Sequence, residues 1–214
     1  MRGRIGTAVA LALLGLCIAG AASADYAQSF SDLWDVNSGA VVVANSPTLF
    51  GDIRDMFGAN DGWYLPERGH TLFADERPLD YPHWVEWQTP QAVTVGRVVL
   101  WAWHDPSGGR SFNRFSLEAW NDAGGCYTTI YDARVTIPYT YVQDIYGLVL
   151  DLALAPAVTA SKFRATFYQG TTISYASGPR ILELDAFAPV PEPSSIVALA
   201  VGLASLVGTK RRRK

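Results

Sequence analysis

Short runs of alternating hydrophobic and polar residues dominate the middle of the chain. Apolar side chains occupy every second position from Phe115 to Ala119, and the same period recurs from Phe163 to Phe167. A period of two places one face of a strand inward and the other toward solvent. Turn-forming residues separate such runs about every ten positions, which is typical of all-β domains. We predict eight strands, at residues 41–44, 84–89, 93–103, 112–120, 126–131, 148–152, 162–168 and 180–187.

Eight short strands with one apolar face each predict a β-sandwich or jelly roll, in which two sheets bury those faces against each other. The longest predicted loops are residues 61–83, 104–111, 135–146 and 169–179. Asp75-Glu76-Arg77 predicts a solvated charged loop, and His83 is expected in a loop or at the surface. Cys126, the single cysteine outside the N-terminal leader, is expected to be a half-buried strand residue without a disulfide partner.

The N-terminus has the pattern of a secretory leader. Arg2 and Arg4 precede an apolar run at residues 8–18, and Ala22-Ser23-Ala24 follows as the small-residue pattern that signal peptidase reads. We therefore predict a signal peptide at residues 1–24, a lead-in at residues 25–40 and a single β domain at residues 41–188. An exported protein is expected.

The C-terminus combines three features in a fixed order: Pro-Glu-Pro, an apolar stretch at residues 196–207 and five basic residues at 210–214. A helix over residues 194–209 would be about 24 Å long, less than the ~30 Å of the hydrocarbon layer. The basic cluster favours a cytoplasmic end with the domain outside. This order resembles the PEP-CTERM sorting signal of exported proteins from Gram-negative bacteria that make exopolysaccharide.

The resemblance implies processing by an exosortase near Pro191, Glu192 and Pro193, after transient residence in the inner membrane through the short helix. The processed domain would then reach the cell surface or the extracellular matrix. Prolines suit a protease site, because they hold an extended, non-helical segment outside the membrane. The alternative is an ordinary tail anchor with a proline-rich spacer.

The charge of the domain argues against nucleic acid as a partner. The chain holds 17 Lys and Arg against 20 Asp and Glu, a net charge of −3. Seven of the basic residues and one acidic residue belong to the two ends, which leaves 10 basic against 19 acidic residues between positions 25 and 191. Affinity for nucleic acid comes mainly from cations that neutralise phosphates.

Several strand sequences resemble one family. Val98-Val99-Leu100-Trp101 and the segments at 112–125, 127–131, 163–167 and 178–187 are similar to strands and turns of the discoidin or coagulation-factor type C family. The resemblance implies a galactose-binding-like β-sandwich across residues 41–188. The cysteine pair that often joins the first and last strands of animal members is missing here.

Members of that family are mostly binding modules, frequently for sugars, with the ligand on loops at one end of the sandwich. Sugars stack on aromatic rings and offer hydroxyls to planar donors such as arginine. The candidate ligand-binding residues, on the predicted loops or directly beside them, are Trp63, Tyr64, Trp103, His104, Arg110 and Tyr175. For each of them, an ordinary structural role is the alternative.

The same resemblance implies a structural calcium ion. It would be bound by Asn60 and Asp61, in an Asn-Asp-Gly loop, together with Glu183 in the last strand. Oxygen ligands suit calcium. A plain turn at Asn60-Asp61-Gly62 is the alternative, and no cofactor is expected to be required.

No catalytic pattern emerges, and we predict a protein that is not an enzyme. His104-Asp105-Pro106-Ser107 holds three residue types of a serine triad, but as neighbours in one turn rather than on distant segments. The favoured function is non-catalytic binding of extracellular carbohydrate, such as exopolysaccharide. The alternatives are a protein scaffold of the matrix and a small polysaccharide hydrolase or lyase.

Overall fold

The computed structural model describes residues 32–58, 71–76, 78–103, 109–135, 140–142, 145–172 and 176–190. The strands in these ranges are β1 (Val41–Asn45), β2 (Thr48–Phe50), β3 (Thr71–Phe73), β4 (Pro82–Trp103), β5 (Phe112–Asn121), β6 (Cys126–Arg134), β7 (Thr140–Val142), β8 (Ile145–Gln169) and β9 (Arg180–Phe187). Two short 3-10 helices, Val36–Ser38 and Ile53–Phe57, accompany them. The all-β prediction is confirmed.

Two long strands build both layers of the sandwich. β4 and β8 pair antiparallel from Pro82 opposite Tyr168 to Trp103 opposite Gly147, with register shifts between Gln88 and Val93 and between Val95 and Arg97. The first half of β4 also pairs with β1, whereas its second half pairs with β9. Because β4 and β8 bend together, a single hydrogen-bonded sheet folds back on itself.

The first layer consists of β1, the first half of β4, the second half of β8, β5 and β6. The second consists of β2, β3, β9, the second half of β4, the first half of β8 and β7. Apolar side chains from both layers form one core between them. The two halves of β4 contribute Val85 and Trp87 from one side and Val98 and Leu100 from the other.

The strand boundaries differ from the prediction in an instructive way. The predicted strands at 84–89 and 93–103 are one strand, and those at 148–152 and 162–168 are another. The sequence pattern breaks there because the bend and its bulges disturb the alternation, not because pairing ends. β3 lies inside the predicted loop at 61–83, and β7 inside the one at 135–146.

A group of aromatic rings fills the centre of the core. Trp87 contacts three others, with ring centroids 4.7 Å from Trp34, 5.0 Å from Phe57 and 5.7 Å from Phe163. Truncating a buried aromatic side chain of this kind costs about 3–5 kcal/mol. Trp34 precedes β1, so the core includes part of the segment before the first strand.

Two single residues depart from the expected burial. His83 is buried within β4, where its ring packs 5.3 Å from Phe73, so the surface prediction was wrong. Cys126 is an exposed free cysteine at the start of β6, directly after a turn, rather than half-buried. In the described ranges no helix is long and apolar enough to cross a membrane, and the predicted membrane segment lies outside those ranges.

Asp32 joins the start of the described chain to its end. Its Oδ1 accepts hydrogen bonds from the Trp34 N–H at 2.7 Å and the Ala186 N–H at 3.0 Å. Burial raises the pKa of Asp32 to about 6, and the nearby Asp35 adds to that effect. Because this pKa lies above the ordinary 3.8, folding takes up a proton, and stability falls as pH rises from about 4 to about 6.

Replacing the carboxyl group by a carboxamide tests this account. In Asp32→Asn the side-chain oxygen still accepts both N–H groups, so we expect the free energy of unfolding at pH 7 to rise by up to about 3 kcal/mol. Asp32→Ala leaves both donors without an acceptor and should lose about 1–3 kcal/mol. Urea unfolding followed by tryptophan fluorescence between pH 4 and 7.5 measures both. Equal losses in the two variants would contradict the account.

Candidate functional site

The bend in β4 and β8 lies at one end of the sandwich. At the other end, several chain segments come together. Backbone hydrogen bonds join them: Arg110 N–H donates to Ala176 O at 2.8 Å, Arg180 N–H to Arg110 O at 3.1 Å, and Gly170 N–H to Ser111 O at 3.0 Å. We call this the loop end. It comprises the described residues within 74–82 and 169–180, with 103 and 109–112.

Asp75 organises the loop end. Its Oδ1 accepts hydrogen bonds from the backbone N–H groups of Ser177 at 3.0 Å and Gly178 at 2.9 Å. The same oxygen lies 2.6 Å from a guanidinium nitrogen of Arg110. The two side chains are 18% and 19% exposed. The prediction of a solvated charged loop was therefore wrong for Asp75, because the carboxylate satisfies backbone donors that would otherwise lack acceptors.

Trp103 and Arg180 form a stacked pair beside this group. The Arg180 guanidinium lies over the Trp103 ring, with its carbon 4.8 Å from the ring centroid. Burial lowers the pKa of Arg180 below its ordinary value, and the positive charge of Arg110 lowers it further. The positive charges of Arg110 and Arg180 therefore repel each other within the loop end.

Gln169 fixes the neighbouring loops. Its fully buried amide nitrogen lies 2.8 Å from Glu76 O, 3.1 Å from Pro78 O and 2.8 Å from Thr171 O, so its two N–H groups are shared among three carbonyls. Its oxygen therefore faces the His83 Nε2, 3.3 Å away, which must carry the proton. Burial lowers the pKa of His83, so this ring is neutral at pH 7.

Gly178 is required by a close approach of two backbones. A Cβ atom at this position would lie 2.1 Å from Phe73 O, a distance no side chain tolerates. The absence of a side chain lets the segment before β9 pack against the end of β3, where Phe73 N–H donates to Pro179 O at 3.0 Å. This packing also presents the Gly178 N–H to Asp75.

The structure describes two of the six predicted ligand-binding residues, and both lie at the loop end. Trp103 ends β4 and Arg110 precedes β5, and Arg180 connects them. The other four, Trp63, Tyr64, His104 and Tyr175, lie outside the described residues, as do Pro191, Glu192 and Pro193.

Glu183, the described member of the predicted calcium site, is buried on β9 opposite Trp101. A buried carboxylate has the chemistry of a calcium ligand. Asn60 and Asp61 lie outside the described residues, so the site stays a prediction. Across the ranges that the structure describes, no three His, Cys, Asp or Glu residues are grouped as metal ligands would be.

Sequence reasoning missed Arg180 and the role of Asp75. Arg180 is the first residue of a strand whose position was predicted correctly. Its contact with Trp103 depends on the register of β9 against β4, which shifts at Trp101 and Ala102. Arg110 adopts a left-handed backbone conformation, with φ of +60°. Nothing in a single sequence indicates such a conformation at an arginine.

The C-terminal residues match a known sorting motif. Residues 189–214 match the model described as the PEP-CTERM protein-sorting motif, which confirms the prediction made from the Pro-Glu-Pro segment, the apolar stretch and the basic tail. The chain thus carries the sorting motif of a secreted protein. Comparison with curated protein sequences finds no match.

Solved structures share the fold of the domain. The family 32 carbohydrate-binding module from Streptococcus pneumoniae EndoD is 18% identical, covers 74% of this chain and 99% of its own, and has a TM-score of 0.50. The family 32 module from C. perfringens NanJ, solved in complex with galactose, is 13% identical, covers 73% and 97%, and has a TM-score of 0.51. The predicted galactose-binding-like β-sandwich is confirmed.

The same fold occurs outside carbohydrate-binding modules. Allantoicase from Saccharomyces cerevisiae is 13% identical, and the match covers 73% of this chain but 42% of the allantoicase chain, with a TM-score of 0.51. At such identities the similarity establishes the fold alone. Function has to be argued from the residues at the loop end.

A variant of Gln169 tests whether this residue holds the loop end together. Gln169→Ala removes a hydrogen-bond donor from three backbone carbonyls and an acceptor from the His83 N–H, so we expect the free energy of unfolding to fall by about 2–4 kcal/mol. Gln88→Ala, at an exposed glutamine on β4, is the matched control and should change it by less than about 0.5 kcal/mol. Chemical denaturation gives both values, and equal effects would contradict the role assigned to Gln169.

Proposed function

We propose that this secreted protein binds extracellular carbohydrate, such as exopolysaccharide, through its loop end and without catalysis. The observation that carries the proposal is the pair formed by Trp103 and Arg180, with Arg110 held beside it by Asp75. An indole ring offers a surface for the C–H face of a sugar, and guanidinium groups donate to its hydroxyls. The binding needs no cofactor.

Preorganisation supports the assignment. Arg110 is fixed by an ion pair of 2.6 Å and by backbone hydrogen bonds on both sides, and the Arg180 guanidinium rests on an aromatic ring. Side chains already held in place lose little conformational entropy when a ligand arrives. The galactose complex of the C. perfringens module provides a precedent for a saccharide on this fold.

The hydrogen bonds of the Asp75 carboxylate favour a binding role over hydrolysis. A glycosidase needs one carboxyl group as acid and a second as base or nucleophile, facing each other across the substrate. Asp75 instead accepts two backbone hydrogen bonds and an arginine contact through one oxygen. Its task is to hold loops together.

The path of the chain also suits a tethered binder. Phe187 at the end of β9 pairs with Arg97, six residues from Trp103 along β4, or roughly 20 Å at 3.3 Å per residue. Pro189 then packs on Gly96, so closely that a Cβ atom on residue 96 would lie 2.4 Å from the Pro189 Cα. The next residue, Val190, is 83% exposed. The sorting motif therefore follows from the end remote from the loops, which favours ligand access while the tail is in the membrane.

Carbohydrate binding is tested with the full chain, purified in a detergent without a sugar headgroup, on a polysaccharide and glycan array. We expect Trp103→Ala to reduce binding at least about tenfold, because the stacking surface is lost. Phe50→Ala removes an exposed aromatic ring on β2 and is the matched control, with no expected change. An intact fold without binding to any glycan would instead favour a protein scaffold of the matrix. Shortening of the polymer on incubation would favour an enzyme.

We further propose that an exosortase removes the C-terminal tail and that the processed domain remains at the cell surface or in the matrix. Mass spectrometry of the exported protein should give a C-terminus close to Pro191. Glu192→Gln should abolish this cleavage, because the motif loses its charged centre, whereas Ser195→Ala serves as a control and should be processed. Recovery of the intact Lys214 terminus on the mature wild type would refute processing.

A further inference from the structure

A row of side chains, none of them a member of the loop end, crosses the outer face of the first layer. Trp84 on β4 pairs with Thr166 on β8, Thr166 with Ser116 on β5, and Ser116 with Asp132 on β6. Thr166 and Ser116 are small and almost fully buried. They form a low floor, with Trp84 at one edge and Asp132 at the other.

Larger side chains flank this row on both sides. Tyr168 and Arg114 pair across β8 and β5 on one side, and Arg164 and Glu118 pair on the other. The result is a groove of about 480 Å³ that runs across four strands. At ~4.8 Å per strand its length is roughly 14 Å, which suits a chain of several units better than a single small molecule.

Arg114 forms one wall of the groove together with Asp132 and Tyr168. Its guanidinium contacts both oxygens of Asp132, with Nε 2.6 Å from Oδ1, and lies 4.5 Å from the centroid of the Tyr168 ring. The hydrogen bond from Arg114 lowers the pKa of Asp132, so this carboxylate is ionised at neutral pH. A guanidinium has five N–H donors, more than the two that Asp132 takes.

The other wall is held by Arg164 in the same way. Its Nε lies 2.9 Å from Glu86 Oε1, a second nitrogen lies 3.5 Å from Glu118 Oε2, and the guanidinium carbon is 4.0 Å from the centroid of the Tyr127 ring. Both arginines of the groove are therefore fixed by a carboxylate and an aromatic ring before any ligand arrives.

The charges in the groove determine which ligand fits. Arg114 and Arg164 each face a carboxylate, so the lining presents donors and acceptors side by side with little net charge. An anionic polymer would be attracted by the two arginines but repelled by the carboxylates of Asp132 and Glu118. Hydroxyl groups, which both donate and accept, complement such a lining, and the half-buried Trp84 ring offers a surface to the C–H face of a sugar.

We propose that this groove is a second carbohydrate site, which binds a segment of an uncharged, hydroxyl-rich polysaccharide across β4, β8, β5 and β6. Trp84 stacks on the polymer, and Arg114 and Asp132 contact its hydroxyls. The site lies on a different face from Trp103 and does not depend on the function proposed for the loop end.

Affinity electrophoresis separates the two sites. The full chain, in a detergent without a sugar headgroup, is run through native gels that contain a neutral glucan, a neutral galactan or anionic alginate. All groove variants are made in a Trp103→Ala background, which removes the loop-end site. Trp84→Ala removes the stacking ring, and Thr129→Trp fills the groove from an exposed position on β6. Phe50→Ala is the matched aromatic control.

We expect at least one neutral polymer to retard the Trp103→Ala protein, and Trp84→Ala or Thr129→Trp to raise its apparent Kd at least about tenfold. Phe50→Ala should leave the Kd unchanged. Circular dichroism and thermal unfolding check that each variant is folded, and Thr129→Trp carries the test if Trp84→Ala is not. The proposal is overturned if alginate alone causes retardation, if no neutral polymer does, or if both groove variants bind like their parent.

The outcome also tells the two proposals apart. If Trp103→Ala has no effect on binding by the otherwise native chain, and the remaining binding is lost with Trp84→Ala, the groove stands and the loop-end site fails. If Trp103→Ala alone removes all binding, the groove proposal fails and the loop-end site stands.

Discussion

The pairing of β4 with β8 on both sides of a shared bend is the constraint on which the rest of the molecule depends. It continues from Pro82 to Trp103 with two register shifts, and so one pair of strands supplies the centre of both layers. Thr89, buried at the bend, places its hydroxyl 2.7 Å from Gln91 O and 3.2 Å from Ser161 O. This hydroxyl lies where the ladder is interrupted and backbone carbonyls need a donor. Without the bend there would be neither an enclosed core nor a loop end.

Buried polar side chains, rather than regular secondary structure, shape the loop end. Asp75 and Gln169 together hold five backbone groups of segments that have no strand partner at those positions. Each bond contributes modestly, but an unmet buried donor or acceptor is costly, so the network favours one loop arrangement strongly. A rigid arrangement is what a weakly binding sugar site requires, because a sugar offers few apolar contacts to offset the ordering of loops.

The sequence revealed those parts of the fold that local patterns encode. Alternation around Phe115 and Phe163 identified β5 and the second half of β8 and their inward faces, and the composition of the last strand located β9. Continuity of β4 and β8 was missed, because bulges shift the period while hydrogen bonding continues. β3 was missed because three residues are too few for a period to show.

The candidate sites depended on register, which a single sequence does not contain. Trp103 and Arg110 were recognised as residue types that suit sugars, yet Arg180 was needed to bring them together, and its place follows a bulge in the pairing of β4 with β9. In the groove, Arg114, Ser116 and Glu118 were predicted to face outward. That Ser116 would lie between Thr166 and Asp132, and so form a floor, required the pairing of three strands.

The two proposed sites lie on adjoining surfaces, and this arrangement has a consequence for binding strength. Tyr168 lines the groove, and the next residue, Gln169, belongs to the network of the loop end. Trp84 faces outward from the first layer and Trp103 ends β4 in the second, so the two rings lie farther apart than the roughly 10 Å between packed layers. For a polymer long enough to reach both proposed sites, binding at the second site would be intramolecular, and two weak sites would then give a stronger attachment than either one alone. Because the described chain ends at the exposed Val190, remote from Trp103, such an attachment would not cover the point where the sorting motif begins.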